Sequence, residues 1–236
     1  MLELGDKSPL VVLEDANIDE AVSAAIFGSF LYQGQICMST DRIIVDEKIA
    51  DEFVSKFSAR AKALPAGDAS KVVDCIVGCI ISQDSTNRLN EIIDDAVSKG
   101  GTLVIGGKSE TSQYSATILD YVTSDMSVYK DETFGPVISI IRAKDTDDAV
   151  RIANDTEFGL SAAVFGKDVM RALDVAKRID TGSCHVNGPT VQNEPQAPYG
   201  GTKSSGYGRF DGHAVIEEFT EVKWLTIEDS AQLYPF

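Results

Sequence analysis

The segment VISIIRAKDTDDAVRIANDTEFGLSAAVFGKDVMRALDVAKRIDTGSCHV, residues 137–186, decides the fold class of this chain. Its short apolar runs are typical of buried strands, and the amphipathic stretches between them are typical of helices. Asp145 is suited to cap the first of these helices. The pattern predicts three strands that alternate with two helices, at 137–141, 145–154, 161–165, 168–179 and 183–186. Such alternation favours an α/β fold with a largely parallel sheet.

The same alternation extends toward the N-terminus. We predict four further strands and three further helices there, at 9–13, 18–32, 42–45, 47–63, 86–99, 102–105 and 116–122. From residue 187 to 212 the sequence is rich in glycine, proline and serine, and long loops of this kind are often functional. Beyond it, EVKWLTIE at 221–228 alternates like an edge strand, which invites pairing with another chain.

Composition excludes several classes of protein. The chain has 236 residues, of which 43% are hydrophobic and 25% charged, as in ordinary globular domains. Its formal net charge of −16 disfavours nucleic acid as a partner. No apolar run approaches the about 20 residues that cross a bilayer, so we expect no membrane partner. The N-terminal segment is acidic where a signal peptide would be basic, which favours a cytoplasmic location.

Three residues are candidates for chemistry on local grounds. Cys37, in a loop between a predicted helix and a predicted strand, is either a nucleophile or a small buried apolar residue. Glu3, two residues before Gly5, is either a general base or a solvated surface carboxylate. Glu132 lies next to a Gly-Pro turn, where it could accept hydrogen bonds from a hydroxyl-rich ligand.

Metal binding and disulfide formation are not expected. Cys75 and Cys79 lie four residues apart, but Cys184 and His185 are adjacent on a predicted strand and point to opposite faces of the sheet. Four cysteines in 236 residues are too few for a disulfide scaffold. We therefore predict no metal site. A thiol-redox module that uses Cys75 and Cys79 remains an alternative.

Six motifs occur in an order that resembles the aldehyde dehydrogenase superfamily. They are LELGDKSP at 2–9, GQICMST at 34–40, ETFGPV at 132–137, NDTEFGLSAAVF at 154–165, PYGGTKSSGYGR at 198–209 and FTEVKW at 219–224. The resemblance covers nearly the whole chain but only the C-terminal, catalytic half of the family. It implies a three-layer catalytic domain at 1–205 and a tail at 206–236 with an oligomerisation strand. The Rossmann-type coenzyme domain is expected to be absent from these residues, and a homo-oligomer is expected.

The resemblance also implies an activity and its residues. Cys37 matches the nucleophile that attacks a small-molecule aldehyde to form a thiohemiacetal and then a thioester. Glu3 matches the general base that activates water. Glu132 matches the acid that holds the ribose of NAD or NADP, and Phe134 packs near that cofactor. The implied reaction is oxidation of an aldehyde to a carboxylic acid, although full turnover by this chain alone is not expected.

Further sequence features bear on the product, the substrate class and the alternatives to an enzyme. Family members that form acyl-CoA lack the water-activating glutamate, so the presence of Glu3 favours a free acid as product. Residues 198–228 are similar to those of members that act on aromatic aldehydes such as salicylaldehyde or vanillin. Asp6 stands where a second glycine is usual and is expected to add negative charge near Glu3. The rival interpretation is a non-catalytic truncated homologue that acts as an oligomerisation or interaction module.

Overall fold

A computed structural model describes all 236 residues of the chain. The strands are β1 (Leu2–Glu3), β2 (Pro9–Val12), β3 (Arg42–Asp46), β4 (Thr102–Ile105), β5 (Thr117–Asp120), β6 (Val137–Ala143), β7 (Ser161–Phe165), β8 (Ser183–Val186) and β9 (Gly206–Tyr207). The helices are α1 (Ile18–Phe30), α2 (Ala50–Lys62), α3 (Gln83–Ser98), α4 (Ser127–Lys130), α5 (Thr146–Asn154), α6 (Val169–Ala176) and α7 (Ala214–Glu218). None of these helices is long and apolar enough to cross a membrane.

Seven strands form the central sheet, in the order β4-β5-β6-β3-β2-β7-β8. Only β4 runs antiparallel to its neighbour, β5, and every other adjacent pair is parallel. Helices α1 and α2 bury their apolar faces on one side of the sheet, and α3, α5 and α6 bury theirs on the other. The α/β fold and the largely parallel sheet are therefore confirmed.

Side-chain caps mark the starts of four helices, α1, α3, α5 and α6. The Asp145 side chain accepts a hydrogen bond from the amide of Asp148 at 2.8 Å, as expected of a cap for α5. Helix α1 ends at Phe30 and not at Tyr32, because Tyr32 and Gln33 adopt left-handed φ angles of 52° and 59°. The predicted helix at 168–179 ends earlier, at Ala176.

Residues 221–228, predicted to form an edge strand that pairs with another chain, form no strand within the single chain. These residues form no regular secondary structure and are exposed, with Trp224 at 87% of its full accessibility. An extended segment becomes a strand only when a neighbour accepts its backbone hydrogen bonds, and no strand of this chain lies beside it.

Candidate active site

The starts of three neighbouring strands define the site. Residues 3–8 lead into β2, residues 35–41 lead into β3, and residues 131–136 lead into β6. Because β6, β3 and β2 are adjacent and parallel, these three segments meet at the same end of the strands. The site therefore lies at the amino ends of the strands.

A small cavity at the amino ends of these strands brings together three of the four residues expected at the site. Cys37, Glu132 and Phe134 all line it. Glu3 does not line the cavity and is exposed on β1. The larger cavities lie elsewhere, and none of them includes any of these four residues.

A tight turn presents Cys37 to the cavity. Gly34, three residues earlier, has a φ of 70°, and a Cβ at this position would lie 2.5 Å from the carbonyl oxygen of Gly135. Only glycine allows this approach, which packs the Cys37 turn against the Glu132–Gly135 loop. The thiol of Cys37 is half-buried and free.

Tyr199 is a neighbour of Cys37 that the sequence interpretation missed. The Tyr199 hydroxyl oxygen lies 3.4 Å from the Cys37 Sγ, although 162 residues separate them. The available signal was an aromatic residue directly before Gly200-Gly201 in the glycine-rich loop. Nothing in the spacing indicated that this loop returns to Cys37.

The glycine-rich loop also supports Glu3. Its strand β9 pairs antiparallel with β1, and Glu3 lies opposite Gly206. A Cβ at Gly206 would lie 2.1 Å from the carbonyl oxygen of Leu2, so this pairing requires glycine. Burial raises the pKa of Tyr199, with smaller contributions from the hydrogen bond to Cys37 and the charge of Glu3. The glycine-rich loop thus contacts β1 through β9 and Cys37 through Tyr199.

Glu132 is half-buried, and the backbone of residues 5 and 6 lies against its carboxylate. Its Oε1 accepts a hydrogen bond from the backbone amide of Asp6 at 3.1 Å. A Cβ at Gly5 would lie 2.9 Å from its Oε2, so a glycine at position 5 leaves room for the carboxylate. Burial, followed by the charges of Asp41 and Asp6, raises the pKa of Glu132.

Asp6 makes contacts that the sequence analysis did not predict. Its buried carboxylate is turned toward the start of β7, where it accepts hydrogen bonds from the amides of Leu160 and Ser161 at 3.1 and 3.0 Å. The Ser8 hydroxyl also donates to it. Burial raises the pKa of Asp6. The residue therefore ties the β1–β2 segment to β7.

The residues around Glu132 fit the ribose of a dinucleotide. Oε2 of Glu132 has no hydrogen-bond partner within the chain, and a carboxylate can accept hydrogen bonds from adjacent hydroxyls. Phe134 exposes 39% of its side chain beside it and offers an apolar surface to a ring. No group of three or more metal-ligating side chains lies close enough together to hold a metal ion.

Comparison with known proteins gives a consistent family. A model described as "Aldehyde dehydrogenase family" matches residues 1–225. The chain is 61% identical over 236 residues to salicylaldehyde dehydrogenase of Pseudomonas putida, covering 100% of this chain and 49% of the relative. It is 48% identical over 235 residues to vanillin dehydrogenase of Pseudomonas fluorescens, covering 100% of this chain and 48% of that relative.

Solved structures agree with this result. A salicylaldehyde dehydrogenase from Pseudomonas putida G7, complexed with salicylaldehyde, superposes with a TM-score of 0.98 at 58% identity over 100% of this chain and 49% of that one. Glyceraldehyde-3-phosphate dehydrogenase GapN from Methanocaldococcus jannaschii, complexed with NADP, superposes with a TM-score of 0.88 at 38% identity. The match covers 94% of this chain and 48% of that one. The chain spans about half the length of these relatives. It belongs to the aldehyde dehydrogenase family.

Proposed function

We propose that this chain is the catalytic portion of an NAD(P)-dependent aldehyde dehydrogenase that oxidises an aldehyde to a carboxylic acid. Residues 1–205 would form the catalytic domain, and residues 206–236 the tail. The observation that carries the proposal is the single cavity shared by Cys37, Glu132 and Phe134. Similarity to salicylaldehyde and vanillin dehydrogenases supports an aromatic aldehyde as the substrate.

Cys37 begins the proposed reaction. Its thiolate attacks the carbonyl carbon, so that a carbon–sulfur bond forms and the carbonyl oxygen becomes an oxyanion. The backbone N–H of Cys37 is the donor on this chain that would stabilise the oxyanion of the thiohemiacetal. When bound, NAD or NADP would supply the acceptor for the hydride that leaves the thiohemiacetal carbon as the thioester forms. Glu132 would hold the ribose hydroxyls, with Phe134 against the cofactor.

Glu3 would complete the reaction. Its carboxylate takes a proton from water, the hydroxide attacks the thioester carbon, and the carbon–sulfur bond breaks to release the acid and free Cys37. The exposed position of Glu3 gives it direct access to water. The presence of a glutamate that can activate water favours a free carboxylic acid over an acyl-CoA as product.

Incubation with an aromatic aldehyde and NAD⁺ or NADP⁺ tests the proposed activity in the protein that joins this chain to a coenzyme-binding domain. The readouts are the absorbance of reduced nicotinamide and the carboxylic acid, measured by chromatography. Stoichiometric formation of both supports the proposal. For this chain alone, from which full turnover is not expected, the readout is acylation of Cys37 by an activated ester. The alternative, a non-catalytic oligomerisation module, predicts neither product and no acylation of Cys37. Its structural support is the exposed apolar tail, in which Val222 and Ile227 are 99% and 93% exposed.

Glu3→Gln is expected to slow deacylation without preventing acylation. The amide cannot accept a proton from water, and loss of a general base typically costs about 10²–10⁴-fold in rate. The acyl-enzyme formed from an activated ester should therefore persist, which intact-protein mass spectrometry measures. Glu47→Gln, at an exposed carboxylate distant in sequence, is the control. A thioester that decays at the wild-type rate in Glu3→Gln would remove Glu3 from the mechanism.

Removal of the tail after Phe219 is expected to lower the oligomeric state. The outer edge of β8 is unpaired in the sheet, and residues 221–228 carry exposed apolar side chains without a partner strand. Pairing between chains would give a partner strand both to the edge of β8 and to residues 221–228. Light scattering measures the mass, and a chain that ends at Glu228 is the control because it keeps the segment. Equal masses for the two truncated chains would contradict the prediction.

A further inference from the structure

No basic side chain lines the cavity around Cys37. Three carboxylate residues, Asp6, Asp41 and Glu132, line it together with Cys37, and no lysine, arginine or histidine does. Asp41 is paired with Lys7, and Asp6 is hydrogen-bonded to the start of β7. A side chain in this cavity that stabilises a thiolate must therefore be a neutral hydrogen-bond donor.

Basic side chains of the neighbouring segments are hydrogen-bonded to other groups. The Lys7 Nζ donates to Asp41 at 2.8 Å and to the carbonyl oxygen of Asp131 at 2.6 Å. The guanidinium of Arg209, in the glycine-rich loop, donates to the carbonyl oxygens of Gly201 and Gly208 at 2.9 and 2.8 Å. Neither side chain forms a hydrogen bond with Cys37.

The Tyr199 hydroxyl is the one side-chain group of this chain within hydrogen-bond distance of the Cys37 Sγ, at 3.4 Å. A thiolate has no proton to give, so in the ionised state of Cys37 the hydroxyl must be the donor. Hydrogen bonds to an ionised acceptor are about twice as strong as those between neutral groups. The contact therefore places a hydrogen-bond donor where a thiolate would accept it.

Tyr199 keeps its proton in this environment. Burial raises its pKa, and the hydrogen bond to Cys37 and the charges of Glu3 and Asp6 raise it further. A raised pKa means that the phenol remains protonated over a wider pH range than an exposed tyrosine. The O–H donor is thus present throughout the range in which a cysteine thiol normally ionises.

The backbone fixes the position of this donor. The Tyr199 amide donates to the Phe210 carbonyl at 2.8 Å, and the Phe210 amide donates to the Tyr199 carbonyl at 2.6 Å. The Phe210 ring packs edge-on against Phe219, with 6.5 Å between their centroids. Gly200 has a φ of 157°, and a Cβ there would lie 2.4 Å from the Gly208 carbonyl oxygen. The glycine-rich loop is therefore built to hold Tyr199 over Cys37.

We propose that Tyr199 is a positioning residue whose neutral hydroxyl donates a hydrogen bond to the Cys37 thiolate and stabilises it in a cavity that no basic side chain lines. This inference rests on the proposed role of Cys37 as the nucleophile. On this proposal, the glycine-rich segment at 198–209 carries the hydrogen-bond donor that the rest of the cavity lacks.

Tyr199→Phe tests the proposal, since it removes only the hydroxyl. The rate of Cys37 alkylation by iodoacetamide is measured against pH by peptide mass spectrometry. We expect the midpoint of the profile to rise by about one pH unit, so that alkylation is about tenfold slower below the midpoint. Tyr207→Phe is the matched control, because Tyr207 is an exposed tyrosine of the same loop. Its profile should equal that of the wild type.

An unchanged midpoint in Tyr199→Phe, or an equal shift in Tyr207→Phe, overturns the inference. Circular dichroism verifies the folded state of both variants. Should Tyr199→Phe fail to fold, fluorotyrosine at position 199 supplies the test, because a more acidic phenol is a stronger donor and must lower the midpoint. Failure of the proposed function appears separately, as a wild-type chain whose Cys37 is not acylated by an activated ester.

Discussion

Asp41→Ala is expected to lower the free energy of unfolding by about 3–5 kcal/mol, because it leaves a buried charge without its partner. Lys7 is completely buried, and its Nζ lies 2.8 Å from Asp41. After the substitution the ammonium keeps only the carbonyl oxygen of Asp131 as an acceptor. Urea denaturation followed by circular dichroism measures the loss.

The same substitution should loosen the loop that carries Glu132. Asp41 also accepts hydrogen bonds from the amide and the hydroxyl of Thr133, at 2.8 and 2.7 Å. Asp174→Ala is the control, since Asp174 forms an exposed ion pair with Lys177, and such pairs contribute about 0–1 kcal/mol. Equal stabilities for the two variants would show that the buried pair does not stabilise the fold.

The strands of the sheet were predictable because burial on both faces leaves continuous apolar runs. The predicted strands at 161–165 and 183–186 coincide with β7 and β8. Helix ends were less predictable. Helix α3 begins at Gln83, three residues before its predicted start, because Ser82 caps a polar first turn that adds nothing to the apolar periodicity.

The contacts that build the site lie beyond local sequence patterns. Motif order led to Cys37, Glu132 and Phe134, which do line one cavity. The pairing of Cys37 with Tyr199 depends on where a glycine-rich loop returns, and left-handed glycines leave no periodic signal. The pattern at 221–228 indicated a strand, but a strand also needs a partner that this chain does not provide.

Cys37→Ala is expected to reduce hydrolysis of a nitrophenyl ester by at least about 10³-fold, since removal of a nucleophile in a covalent mechanism costs at least this much. Ester hydrolysis requires no hydride acceptor, so it tests the thiol of this chain independently of NAD or NADP. The acyl group should be found on Cys37 by peptide mapping, as a thioester that hydroxylamine removes.

The other three thiols are poorer candidates for that acyl group. Burial raises the pKa of Cys184 to about 12, which keeps it in the unreactive thiol form. The Cys75 thiol donates to the Gly67 carbonyl oxygen at 3.4 Å. Cys79 is exposed and is the real competitor, so Cys79→Ala is the matched control and should retain wild-type hydrolysis. Hydrolysis that survives in Cys37→Ala and disappears in Cys79→Ala would identify Cys79 as the nucleophile. The reaction would then take place outside the cavity, and Glu132, Phe134 and Tyr199 would have no part in it.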